Sequence, residues 1–105
     1  MATGHDSREA VKLPLSFEMT TTLEEFRRRL PAAVGNVPFV EEDSAFVHRD
    51  GERGWRIGIA PVPRFKAGLI ELERYRVDFR FEGYSEREIE EFMGRFEVHF
   101  RRGGG

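Results

Sequence analysis

The residues of this chain that are able to do acid–base or metal chemistry are scattered rather than grouped. The three histidines are His5, His48 and His99, and no two of them have the i,i+4 spacing that places metal ligands on one helical face. The acidic run 41–43 (Glu-Glu-Asp) is more typical of a solvated loop than of a catalytic carboxylate pair, whose pKa values the environment must separate. We therefore expect no metal site and no carboxylate catalysis.

Nucleophiles give no stronger signal. His48, Arg49 and Asp50 spell the tripeptide of protein-kinase catalytic loops, but the downstream asparagine and the glycine-rich loop of kinases are absent. We interpret the tripeptide as a polar hairpin tip. The chain has no cysteine, which excludes thiol catalysis, disulfides and thiolate-bound metals and fits a reducing, cytoplasmic location. No cofactor is expected, and we expect the protein not to be an enzyme.

Charge gives no sign of a polyanionic partner. There are 17 basic and 19 acidic residues, a net charge of -2, which favours neither nucleic acid nor an anionic membrane. Arginines and aromatic residues alternate between Arg74 and Phe81, as they would in a base-stacking platform. Strict alternation, however, puts the arginines and the aromatic rings on opposite faces of a strand. The longest apolar runs are only a few residues, so no membrane span is predicted.

Apolar residues at every second position predict the strands. The first strand is carried by Val11, Leu13, Leu15, Phe17 and Met19, with Pro14 confining it to a sheet edge or a bulge. A meander follows, with short strands at 37–40 and 45–48, a turn at 41–44 and a hairpin turn at Asp50-Gly51. Trp55, Ile57 and Ile59 then alternate, and Pro61 and Pro63 predict a connection that ends near Gly68.

The last predicted strand changes phase partway along. Its apolar residues first stand at even-numbered positions, Ile70 and Leu72. They then stand at odd-numbered positions: Tyr75, Val77, Phe79 and Phe81. A bulge near Glu73 and Arg74 would bring both sets onto one face.

Two helices are predicted from their starting signals. The first begins at a capping box on Thr21 or Thr22, has Pro31 disturbing its last turn, and ends at Gly35 and Asn36. The second begins at Ser85 with Glu88, and Gly103 can end it. Its apolar face contains Ile89, Met93, Phe96 and Phe100. The alternative, in which Phe96, Val98 and Phe100 form a final strand, stays open.

These elements predict an α+β fold in the order β-α-β-β-β-β-α. An antiparallel sheet of about five strands has two helices packed on one face, because charged residues occupy the other face. In outline this two-layer sandwich is similar to small helix-grip folds, in which a curved sheet wraps the C-terminal helix. We expect one domain at 10–102, a disordered start at 1–9 and a flexible glycine tail at 103–105.

The function predicted from these observations is non-catalytic. The large aromatic content favours protein–protein interaction, as a homodimer or with another protein, through a surface at Trp55, Phe65 and Phe92. The alternative is a small apolar ligand held in a cavity between the sheet and the C-terminal helix. That cavity would be lined by Ile89, Met93, Phe96, Phe100 and Tyr75.

Overall fold

The sheet is the centre of the structure. A computed structural model describes residues 15–104, and in this range the chain forms one five-stranded sheet with the order β1-β5-β4-β3-β2. Every neighbouring pair of strands is antiparallel. The strands are β1 Ser16–Thr20, β2 Val40–Glu42, β3 Ala45–Asp50, β4 Arg53–Ala67 and β5 Ile70–Glu82. The predicted element order and fold class are confirmed, while the first positions of the predicted β1, from Val11 to Pro14, lie outside the described residues.

Helix α1, Leu23–Ala33, joins β1 to β2. Of the two predicted caps the structure uses Thr22, whose Oγ1 accepts a hydrogen bond from the backbone N–H of Glu25 at 3.0 Å. Pro31 lies inside the helix rather than ending it. The left-handed backbone of Gly35 and Asn36, with φ values of 77° and 60°, follows the helix as predicted.

Helix α2, Glu86–Gly104, resolves the open alternative at the C-terminal end. The segment 96–100 is helical, so a final strand there is wrong. Ser85 and Glu88 form a complete capping box: the Ser85 N–H donates to Glu88 Oε1 at 2.8 Å, and the Glu88 N–H donates to Ser85 Oγ at 3.1 Å. The bond from the Ser85 N–H holds the pKa of the Glu88 carboxyl below its ordinary value.

Both helices cover the same face of the sheet. Antiparallel register aligns Phe46, Ile57 and Phe79 across three strands, and all three are buried. Phe26 of α1 and Phe96 of α2 pack on this row, with ring centroids 5.5 Å from Phe46 and 4.8 Å from Phe79 respectively. The core is therefore a layer of aromatic rings between the helices and one face of the sheet.

The segment before β3 differs from the prediction. A strand was predicted at 37–40 and a turn at 41–44, whereas β2 comprises Val40–Glu42 and the turn is only Asp43-Ser44. Both turn residues have positive φ, 49° and 62°, as a two-residue type I′ hairpin requires. This tight turn pairs Glu42 with Ala45, so the strand begins three residues later and ends two residues later than predicted. Within the described residues, no helix is long and apolar enough to span a membrane.

Substitution of Phe96 tests whether the ring layer holds the fold together. Phe96→Ala should lower the free energy of unfolding by about 3–5 kcal/mol, because it leaves a cavity among rings that cannot close over it. Urea denaturation followed by circular dichroism measures the change. Val98→Ala on the same helix is the matched control and should change stability by less than about 0.5 kcal/mol, since Val98 is largely solvated. Equal effects of the two substitutions would contradict the packing described here.

Candidate functional site

Beyond the packed sheet, β4 and β5 continue as a two-stranded hairpin, which we call the arm (residues 61–73). Its turn is Gly68-Leu69, closed by the pair Ala67 and Ile70, and Gly68 has the positive φ that the first turn position needs. Apart from the half-buried Val62, every residue from 61 to 72 is exposed.

The two prolines of β4 are strand residues, so the connection predicted between Pro61 and Gly68 is wrong. The N–H of Ile59 donates to Ser44 O at 3.0 Å, toward the β3 side of the strand. Because strand groups alternate with a period of two, the nitrogen of Pro61 points to that same side, beyond the Ala45–Gly58 pair at which β3 begins. Pro61 therefore removes no hydrogen bond from the pairing with β5, and it leaves the β4 edge unable to accept another strand fully.

The bulge lies on β4 and not on β5. The register passes from Val62 opposite Arg74 to Phe65 opposite Leu72, so β4 has one residue more than β5 across this step. The predicted bulge at Glu73 and Arg74 was placed on the wrong strand. Because β5 runs without interruption, Ile70 and Leu72 lie on the face opposite Tyr75, away from the helices.

The result is an exposed apolar face on the arm. It consists of Val62, Phe65, Ala67, Ile70 and Leu72, with Leu69 at the tip. Phe65, Ile70 and Leu72 are 49%, 58% and 43% exposed, and Leu69 is completely exposed. None of these residues carries a charge. Together they form an exposed apolar patch on the order of several hundred Å², the size of patches that often have a function.

The opposite face of the arm is polar, and its charges lie close to one another. Lys66 is registered opposite Glu71, and an Arg64 nitrogen lies 4.0 Å from a Glu73 carboxylate oxygen. The Tyr75 hydroxyl donates to Glu73 Oε1 at 2.8 Å. This hydrogen bond raises the pKa of the Tyr75 phenol above its ordinary value, and burial adds to the effect. The arm is thus amphipathic, with one neutralised ionic face and one bare apolar face.

Of the three residues predicted to form an interaction surface, only Phe65 is exposed. Trp55 and Phe92 are buried, and their rings contact each other at a centroid distance of 5.7 Å. The reason is the register: Trp55 lies opposite His48 and Phe81 on the helix-covered face of the sheet. Trp55 and Phe92 therefore belong to the core, and the exposed neighbours of Phe65 lie on the arm.

The residues predicted to line an apolar cavity lie between the sheet and α2. Ile89 and Phe96 are buried, whereas Met93, Phe100 and Tyr75 are half-buried. Phe96 stacks on Phe100 at 4.4 Å between centroids and also contacts the rings of Phe17, Phe26 and Phe79. These rings pack against one another between the sheet and the two helices.

The polar residues singled out in the sequence have structural contacts. His48 is buried, and its Nδ1–H donates to the carbonyl oxygen of Pro38 at 2.7 Å. Glu41 accepts hydrogen bonds from the Arg27 guanidinium, which hold the pKa of its carboxyl below the usual value. Among residues 15–104 there is no group of three or more His, Cys, Asp or Glu side chains arranged to hold a metal ion.

Comparison with known proteins adds no assignment. No protein family, no curated protein and no solved structure matches the chain. The functional argument therefore depends on the exposed surfaces of this structure.

Titration of Tyr75 tests the arm geometry at its base. In a Tyr84→Phe background, which leaves one tyrosine, the Tyr75 phenol should ionise above the ordinary value of about 10. Glu73→Ala should lower that pKa, because it removes both the hydrogen-bond acceptor and the neighbouring negative charge. Ultraviolet absorbance of the phenolate measures both values. An unchanged pKa in the Glu73 variant would show that the two side chains are not in contact.

Proposed function

We propose that this protein acts by associating with a second copy of itself through the apolar face of the arm. The observation that carries the proposal is the placement of Phe65, Ile70 and Leu72 side by side on a strand face that no described element covers. Exposed apolar patches of this kind mark interaction sites in proteins that are otherwise well solvated.

The charge distribution favours a second copy over a charged partner. In a two-fold dimer the same patch meets itself, so a patch with a net charge of one sign would be repelled by its copy. The apolar face of the arm has no charge, and Arg74, which adjoins this face opposite Val62, has the Glu18 carboxylate 3.1 Å away. The ionic groups of the arm lie on its other face, where Arg64 is near Glu73 and Lys66 is opposite Glu71. Two such faces therefore pack together without leaving a buried, unpaired charge.

The prolines favour packing through faces instead of strand addition. Pro61 and Pro63 interrupt the row of N–H groups along the open edge of β4. A partner strand added there would lose hydrogen bonds, so the side chains of the apolar face supply the contact.

The size of the apolar patch limits the affinity that we expect for the dimer. Two patches of several hundred Å² each would together bury about as much surface as the ~1,200 Å² at the low end of stable interfaces, or less. We therefore expect a reversible dimer with a dissociation constant in roughly the micromolar range or weaker. A cytoplasmic location is a separate part of the proposal, and it is supported by the absence of cysteine, which is compatible with a reducing compartment.

Adjacent substitutions on opposite faces of the arm provide a matched test. In sedimentation equilibrium the wild-type protein should change from monomer toward dimer as its concentration rises through the micromolar range. Phe65→Gln should weaken association by about tenfold or more, because each dimer loses two buried rings. Lys66→Gln introduces the same side chain one residue later on the ionic face and should leave association unchanged.

Three outcomes would contradict the dimer. One is a wild-type protein that stays monomeric at the highest attainable concentration. Another is an equal effect of Phe65→Gln and Lys66→Gln. The third is a monomer that binds neutral phospholipid vesicles through the arm, which would assign the apolar face to a lipid surface.

A further inference from the structure

The outer face of the sheet, opposite the helices, contains a second feature at the end away from the arm. It is an open depression of about 150 Å³ across β3, β4 and β5. Its side-chain lining includes Val47, Arg49, Arg56, Arg80 and Glu82, with Gly54 at its centre. We call it the arginine depression.

Strand register explains why three arginines meet there. Arg49, Gly54 and Glu82 form one row across the three strands, and Val47, Arg56 and Arg80 form the next. Gly54 has no side chain, which leaves a hollow between Arg49 and Glu82. A Cβ at Gly54 would lie only 2.5 Å from the His48 carbonyl oxygen, so the close approach of β3 and β4 also requires glycine here.

The charges in the arginine depression are not balanced. Arg56 and Arg80 are directly opposite each other on neighbouring strands, an arrangement of like charges that destabilises a sheet. Arg56 has one carboxylate nearby, Glu42 at 3.9 Å. For Arg49 and Arg80, no ion pair within 4.0 Å is formed with the residues that the structure describes. Three arginines therefore line a hollow with Glu82, and Glu42 is the second carboxylate nearby.

We propose that the arginine depression binds the phosphate group of a small phosphomonoester or free inorganic phosphate. Guanidinium groups present a planar fork of N–H donors that matches phosphate oxygens, and a dianion offsets the repulsion between Arg56 and Arg80. The hollow is smaller than the ~300 Å³ of sites that enclose a whole drug-sized ligand. It therefore holds the phosphate, and the rest of a ligand lies over the exposed rim.

The surrounding residues favour a single phosphate over a nucleic-acid strand. The outer face continues along β5 with Asp78, and Glu18 of β1 lies opposite Arg76. A polyanion following the strand direction would meet these carboxylates within two to four residues of the hollow. The site is also separate from the proposed dimer contact, because Gly54 and Phe65 are about 35 Å apart along β4.

Titration with inorganic phosphate and with phenyl phosphate tests the proposal. At low ionic strength, nuclear magnetic resonance should show saturable shifts of the amide signals of Arg49, Gly54 and Arg80, with roughly millimolar affinity. Arg80→Gln and Arg49→Gln should each weaken binding by about threefold or more, because each removes a charged donor. Arg80→Gln should not lower the unfolding temperature without phosphate, because it also removes the like-charge pair with Arg56.

Arg76→Gln is the matched control. Arg76 lies on the same strand and the same face, opposite Ala60 and about 13 Å from Arg80, and its replacement changes the net charge equally. It should leave phosphate affinity unchanged. The proposal is overturned by unsaturable or absent shifts, by an Arg76→Gln effect as large as that of Arg80→Gln, or by a short single-stranded oligonucleotide that binds far more tightly than either phosphate compound.

Discussion

Backbone hydrogen bonds between β4 and β5 continue from the Gly54–Glu82 pair to the Ala67–Ile70 pair, well beyond the ends of β1 and β3. The same pair of strands is therefore packed against the helices at one end and exposed to solvent at the other. Near Phe79 it is the centre of a sheet with a packed aromatic layer on one face. Past Val62, where the pairing of β5 with β1 has ended, it is a two-stranded arm whose apolar face no described element covers. An isolated hairpin is marginally stable in water, so the arm depends on pairing that the packed half of the ladder begins.

The pairing of β4 with β5 also gives the outer face of the sheet two chemically different ends. At one end the register gathers Arg49, Arg56 and Arg80 around Gly54, and at the other it gathers the uncharged residues that begin with Phe65. Both arrangements are unfavourable for an isolated chain, since one opposes like charges and the other leaves apolar side chains in water. The proposed phosphate would relieve the first and the proposed second copy would relieve the second, and the distance between the two ends would let both be occupied together.

The sequence predicted the features that depend on a few consecutive residues. The alternation through Ile57 and Phe79 and the capping box at Ser85 are local patterns, and each has its predicted structure. Features that depend on a neighbouring strand were missed. Pro61 fits into β4 because β3 begins too late to pair with it, which the sequence of β4 does not show. The shift in the apolar alternation after Leu72 indicates an extra residue in one of two paired strands, but it does not show which strand contains it. The aromatic excess was evident, but the sequence did not distinguish Phe65, which is exposed, from Trp55 and Phe92, which are buried.

The register of the arm is the claim from which the exposed face follows, and nuclear Overhauser effects measure it directly. In a dilute sample, where the protein is monomeric, cross-peaks should connect the side chains of Phe65 and Leu72 and those of Ala67 and Ile70. Without the extra residue on β4, the pairing of Val62 with Arg74 would instead place Phe65 opposite Glu71. Side-chain cross-peaks between Phe65 and Glu71, or no cross-strand contacts between 61 and 73, would contradict the account.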